Sequence, residues 1–102
     1  MKIEMTFNDD AIIENGYERN DIYTTLKNAF WEFGIPCSSE TETLSFCDTG
    51  NENDYAHMWI LLIDLLKMDW FIACASSCMF FDDDDTEEDV LSQAWKVRQR
   101  MA

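Results

Sequence analysis

Apolar and polar positions alternate at the start of the chain. Ile3, Met5 and Phe7 fall on one side of an extended backbone, and Lys2, Glu4 and Thr6 on the other. That period of two predicts a half-buried strand over 2–7. Asn8, Asp9 and Asp10 then offer capping oxygens to a short helical turn, AIIEN, which Gly16 can close in a left-handed conformation. The period changes in the next stretch, where Ile22, Leu26, Ala29, Phe30 and Phe33 recur at helical spacing behind a cap at Asn20 or Asp21. The end of this helix is well marked. Gly34 stands where a C-terminal glycine is expected, Ile35 can fold back on the last turn, and Pro36 forbids continuation.

Residues 37–48, CSSETETLSFCD, read as a weak strand, a polar turn near Glu42 and a better strand. Leu44 and Phe46 share one face of the latter, and Thr43, Ser45 and Cys47 the other. A turn centred there would set Cys37 across from Cys47, a geometry in which a disulfide is conceivable but which a reducing compartment disfavours. From 54 to 68, Tyr55, Met58, Trp59, Leu62, Leu65 and Leu66 make a wide apolar face. Asn53, His57, Asp64 and Lys67 form a narrow polar stripe opposite, so a helix buried around most of its circumference is expected. Asp69 marks its end, and residues 70–81 are apolar on both alternating sides, as in a strand covered on both faces. A helix continuing to about Ser77 is the competing reading, permitted by Ala73, Ala75 and the absence of Pro or Gly. After DDDDTEED a last helix is expected. Thr86 would cap it, Asp89 would close a box-like Thr-x-x-Asp pattern, and Val90, Leu91, Ala94, Trp95, Val97 and Met101 would form its buried side. Lys96, Arg98 and Arg100 would then sit near its negative end.

The order strand, helix, strand, strand, helix, strand, helix defines an α+β protein. Its inner βαββαβ part resembles the ferredoxin-like arrangement, which implies a four-stranded antiparallel sheet with two helices on one face and an additional C-terminal helix. On the far face the first and third strands place small or polar residues, while the fourth places bulky apolar ones that need a cover. The last helix, with Val90, Ala94 and Trp95, is the economical cover. A second copy of the chain is the other candidate, and an uncovered edge strand would serve such a homodimer.

Size and composition fit this picture: 102 residues at 47% hydrophobic make one folded domain over 1–102 with a single core. Charge adds something the pattern does not. Twenty-one acids against seven bases give −14, with 14 acids and 4 bases in 1–81 and 7 acids and 3 bases in 82–102. Such a charge repels phosphate backbones and anionic lipid, which argues against direct binding of nucleic acid or a membrane surface. It favours solubility or a basic partner. With no basic-then-apolar leader and with Asp64, Lys67 and Asp69 interrupting the longest apolar run, a cytoplasmic protein with reduced thiols is expected.

Candidate chemistry is sparse. Cys37, Cys47, Cys74 and Cys78 suffice in number for zinc, but on a strand positions four apart lie about 13 Å from each other, too far for one metal. Buried reduced thiols are the simpler reading. His57, the single histidine, is expected on the solvent side with no Ser-His-Asp or Cys-His pattern near it, and Gly16, Gly34 and Gly50 are isolated turn residues rather than a phosphate loop. No enzyme signature and no cofactor motif emerges. What remains is the acidic run Asp82, Asp83, Asp84 and Asp85, continued by Glu87, Glu88 and Asp89, which lacks the central glycine and alternating ligands of a calcium loop. Its plain reading is a solvated loop whose last members cap a helix. Its functional reading is a contact patch for a protein with a basic surface.

In size and acidity the chain resembles the small antirestriction and anti-CRISPR proteins of phages and conjugative elements, a resemblance of composition that carries no motif. It implies a non-enzymatic interaction protein in which carboxylates mimic nucleic-acid phosphates. The alternative is a small-ligand or metal-sensing domain with a pocket lined by Met, Trp and Cys.

Overall fold

A computed structural model describes residues 1–84 and 86–93. The first strand, β1 (Lys2–Phe7), buries Ile3, Met5 and Phe7 and leaves the intervening residues partly exposed, as its alternation requires. Asn8 caps α1 (Asp9–Glu14) by accepting the Ala11 amide at its Oδ1, 3.1 Å away. The next helix, α2 (Arg19–Glu32), begins one residue before the expected caps, after Glu18, whose side chain makes no cap bond. It stops as expected. Gly34 takes φ +76°, its amide donates to the Trp31 carbonyl, and the Ile35 amide donates back to Phe30. This closure satisfies two terminal carbonyls and turns Ile35 into the core.

The hairpin strands β2 (Cys37–Glu40) and β3 (Thr43–Cys47) follow. Cys37 lies opposite Phe46 rather than Cys47, whose own partner is Lys2 in β1. A one-residue offset reverses the side a residue faces, so the pairing of Cys37 with Cys47 is not realised and both thiols are free. A second pair of helices, α3 (Asp54–Leu66) and α4 (Asp69–Cys74), leads into β4 (Ala75–Phe81) and the short β5 (Glu87–Asp89). The five strands form one sheet in the order β2-β3-β1-β4-β5, antiparallel at every junction. The fold is α+β.

One face of the sheet carries the helices. Phe46 stacks on Phe30 of α2 at 3.9 Å between ring centres, Phe7 meets Phe71 of α4 edge-on at 6.1 Å, and Phe80 meets Trp59 of α3 at 5.1 Å. Ile3, Met5, Leu44 and Cys78 complete the sheet side of this core, and burying each such large side chain stabilises the fold by about 1.5–3 kcal/mol. On the opposite face the rows are more polar. Lys2 bonds Glu4 at 2.9 Å while its ammonium sits 5.1 Å from the Phe81 ring centre, and the Thr6 and Ser77 hydroxyls share a 2.6 Å hydrogen bond.

Three expectations are corrected. Residues 70–74 are helix, not strand, because their buried members Phe71 and Cys74 lie three apart, on one helical face. Extended backbone starts only at Ala75, where pairing with Phe7 becomes available and the Asn8 amide takes the Cys74 carbonyl. The competing reading of one helix continuing to about Ser77 is not realised either: α3 ends at Leu66, and the helical residues to Cys74 form a separate helix that starts at Asp69 after an extended Met68. Next, α3 is buried along one side only: Ile60 is 48% and Ile63 42% exposed, because neighbours cover just its sheet side and flanks. His57 is half-buried and packs at a tilt against Phe33, 4.6 Å between ring centres, with its Nδ1 out of water and without a partner among the described residues. Finally, the helix expected from Thr86 is β5 followed by a single 3₁₀ turn, Leu91–Gln93. Pairing Glu87, Glu88 and Asp89 with Phe81, Phe80 and Met79 satisfies the outer edge of β4, which a helix there would leave bare. Asp89 becomes a cap, accepting the Ser92 amide at 3.2 Å, and Val90 is fully buried with its amide bonded to the Cys78 carbonyl. Ala94, Trp95, Lys96, Val97, Arg98, Arg100 and Met101, with the cover they were expected to give the far face, lie outside the described residues.

Candidate functional site

The acidic run falls on the turn between β4 and β5, and the structure divides its members. Asp83 is exposed and holds the Met1 ammonium at 2.5 Å, which also lies 3.3 Å from Asp48. Asp84 folds onto the turn itself: its carboxylate accepts the Thr86 hydroxyl and the Thr86 amide, and those bonds hold it below the usual carboxylate range. Asp82 steadies the same turn, its amide donating to the Thr86 carbonyl at 2.9 Å and its Oδ1 accepting the Asp83 amide at 2.7 Å. Asp85 lies outside the described residues. Glu87 and Glu88 project from the edge strand, and Glu88 accepts a hydrogen bond from the Gln93 side chain.

Asp82, Glu87 and Glu88 line a cavity of about 140 Å³ with Tyr55, Trp59, Phe80 and Thr86; pairing with Phe80 puts the Glu88 side chain on the aromatic side, and pairing with Phe81 turns that of Glu87 to the other face of the sheet. Phe80 forms the buried base of an aromatic cluster, with Tyr55 edge-on at 6.0 Å and Trp59 tilted at 5.1 Å. Tyr55 and Trp59 stand four apart on the first turns of α3, so helical geometry stacks them over the same place. The sequence reading put both on the buried face. The structure leaves Tyr55 50% exposed, and that four-residue spacing beside an acidic segment was the available signal. The indole N–H of Trp59 is out of water and has no acceptor among the described residues.

The start of α3 is fixed by a buried acid. Asp54 is 2% exposed, and its Oδ2 accepts the Thr49 amide at 2.7 Å, the Thr49 hydroxyl at 2.9 Å and the Asn51 amide at 3.3 Å. The Thr49 amide above all holds the Asp54 carboxyl below the usual carboxylate range against the effect of its burial. This clamp ties the 48–53 loop to the helix that carries Tyr55 and Trp59.

Elsewhere three cations are paired locally. Arg19 pairs with Asp9 at 2.6 Å, Lys27 with Glu40 at 2.9 Å and Lys2 with Glu4, and none of these acids belongs to the β4–β5 turn. Cys37, Cys74 and Cys78 offer little reactivity, since a thiolate is the nucleophile. Burial raises Cys37 and Cys74, and burial followed by the nearby Asp89 charge pushes Cys78 up to about 12. Among the described residues no three His, Cys, Asp or Glu side chains converge as a metal site, and no helix is long and apolar enough to cross a membrane. Ring faces and carboxylates around one small cavity instead make a place that favours positive charge. No protein-family model, curated protein or solved structure matches the chain.

Proposed function

We propose that the chain is a non-enzymatic, cytoplasmic interaction domain that binds a protein partner with a basic surface through the β4–β5 edge. The observation that carries this reading is the grouping of Asp82, Glu87 and Glu88 on one edge, beside exposed Asp83 and Asp84, where among the described residues the Met1 ammonium at Asp83 is the one cation paired with these acids. A second copy is a poor occupant of that edge, because Glu87, Glu88 and Asp89 would face like charges. The scaffold beneath it supports a ferredoxin-like reading: β1 and β2 run parallel with β3 between them, α2 and α3 pack on one face, and β5 is an addition beside β4.

The test is a pull-down from extracts of the source cell at low and high salt. The bait is the wild-type chain or a variant carrying Asp82→Asn, Asp83→Asn, Asp84→Asn, Asp85→Asn, Glu87→Gln and Glu88→Gln. A basic protein captured at low salt, released at high salt and lost with the variant supports the reading, since exposed charge pairs weaken with ionic strength. Recovery of nothing but the bait would sink it. If the partner binds DNA or RNA and nucleic acid displaces the chain, the acids act as a phosphate mimic.

A further inference from the structure

The cavity beside the acidic edge is more specific than a charged surface needs to be. Coulomb attraction alone requires only carboxylates, and exposed carboxylates discriminate poorly among cations. Here Tyr55, Trp59 and Phe80 form one wall and Asp82, Thr86 and Glu88 line the other, around about 140 Å³; Glu87 also borders the cavity, but its pairing with Phe81 turns its side chain to the other face of the sheet. An ammonium is a compact, strongly hydrated charge that gains most from water or a single carboxylate. A guanidinium is planar, weakly hydrated and able to stack on a ring while donating two parallel hydrogen bonds at its rim. A cavity with aromatic faces on one side and acids on the other matches the second.

The chain already combines a guanidinium with a tyrosine and a carboxylate. The Arg19 guanidinium lies 5.5 Å from the centre of the Tyr23 ring and donates from Nη1 to the Tyr23 hydroxyl at 3.0 Å, while its Nε and Nη2 share Asp9 Oδ1 at 3.0 and 2.6 Å. The same groups recur around the cavity, with no arginine among the described residues beside them: tyrosine and tryptophan rings from α3, carboxylates from the β4–β5 turn and edge.

We infer that this cavity receives the guanidinium group of an arginine presented by the protein partner. The inference rests on the interaction reading and names the contact at its centre. The aromatic wall supplies stacking area, Asp82 and Glu88 supply the countercharge, and the clamp at Asp54 holds the wall in place before the partner arrives. Preorganisation of that kind lowers the ordering cost of binding. A single residue docked this way is a typical interface anchor, since arginine against aromatic side chains is enriched among the contacts that dominate binding.

The probe is n-butylguanidinium, titrated into the full chain and followed by ¹H–¹⁵N and aromatic ¹H–¹³C NMR, with n-butylurea as its neutral isostere and n-butylammonium as the lysine analogue. Expected shifts centre on Tyr55, Trp59 and Phe80, with n-butylurea at least about tenfold weaker and n-butylammonium about threefold weaker than n-butylguanidinium. Trp59→Leu weakens binding about three- to tenfold, and Tyr55→Leu, at a half-exposed position that leaves folding intact, weakens it about threefold. Equal binding of n-butylurea, or shifts scattered over all the exposed acids, overturns the inference. A gain in affinity on neutralising Lys96, Arg98 and Arg100 with glutamine also overturns it, because the chain's own cations would then be the occupant. The two readings fail separately. A basic partner kept by Tyr55→Leu and Trp59→Leu but lost when the acids are neutralised removes the cavity contact and leaves the acidic edge; loss of partner capture altogether removes the edge.

Discussion

Replacing Asp54 by alanine tests how the 48–53 loop and the start of α3 are held. The carboxylate takes three donors on one oxygen, and two of them, at 2.7 and 2.9 Å, are short enough to count fully. A hydrogen bond to a charged group contributes about 1.5–3 kcal/mol, and a buried amide left without an acceptor costs about 1–3 kcal/mol. The side chain is 2% exposed, so water does not reach the vacated donors until the loop opens. Opening caps the loss, and about 3 kcal/mol is expected rather than the sum of the bonds. Asp54→Asn keeps an acceptor and loses the charge, which should cost roughly half as much.

Urea denaturation followed by tryptophan fluorescence reads both variants. With a slope of about 1.5 kcal/mol/M, the midpoint should fall by about 2 M for alanine and about 1 M for asparagine. The pH dependence gives an independent check. The folded-state pKa is lowered, so the carboxylate stabilises the fold above its unfolded value near 3.8, and that contribution is lost as pH falls through the folded value. The gap between wild type and Asp54→Asn should therefore be full at pH 6 and shrink steadily below pH 4. A change within about 0.5 kcal/mol for Asp54→Ala, the range of ordinary surface substitutions, would refute the clamp. So would a gap that persists unchanged to pH 2.

Gly34→Ala meets no neighbouring atom but must hold φ +76°, so it should cost about 1–2 kcal/mol and lower Tm by about 4–12 °C in calorimetry. Val90→Ala removes a fully buried side chain from the end of β5 and should cost about 1.5 kcal/mol; in the wild type, hydrogen exchange should show the Val90 amide protected by the Cys78 carbonyl, whereas an unprotected Val90 would refute the strand pairing. Cys78 should resist iodoacetamide in the native protein at pH 8 and react in urea, by mass spectrometry. Because its folded pKa is raised to about 12 from 9.0, its contribution to stability is intact below pH 9 and is lost as pH rises toward 12.

The sequence showed the fold most clearly where one local rule acted alone. The alternation of Ile3, Met5 and Phe7 and the Gly34-Ile35-Pro36 ending needed no distant partner to be decisive. It misled where two local rules competed and a distant one chose. Trp70 to Cys74 satisfies both a strand covered on two faces and a helical turn, and the register with Phe7 sets where extension begins. Thr86 to Asp89 satisfies a helix cap, yet the open edge of β4 recruits the same residues as a strand. The acids of the site were visible because charge is local. Their aromatic counterpart was not, because Phe80 stands beside Tyr55 and Trp59 only after the sheet and α3 have packed.

The charge on β5 has a consequence for folding that needs no partner. Before Glu87, Glu88 and Asp89 pair, the outer edge of Ala75–Phe81 is an uncharged strand without proline that ends in four apolar residues, Cys78 to Phe81, and an open edge of that kind can recruit copies of itself. The acids that follow it act as gatekeepers, keeping two nascent chains apart until the hairpin closes. Neutralising them should therefore make the chain aggregate during refolding, at a rate that rises with its concentration.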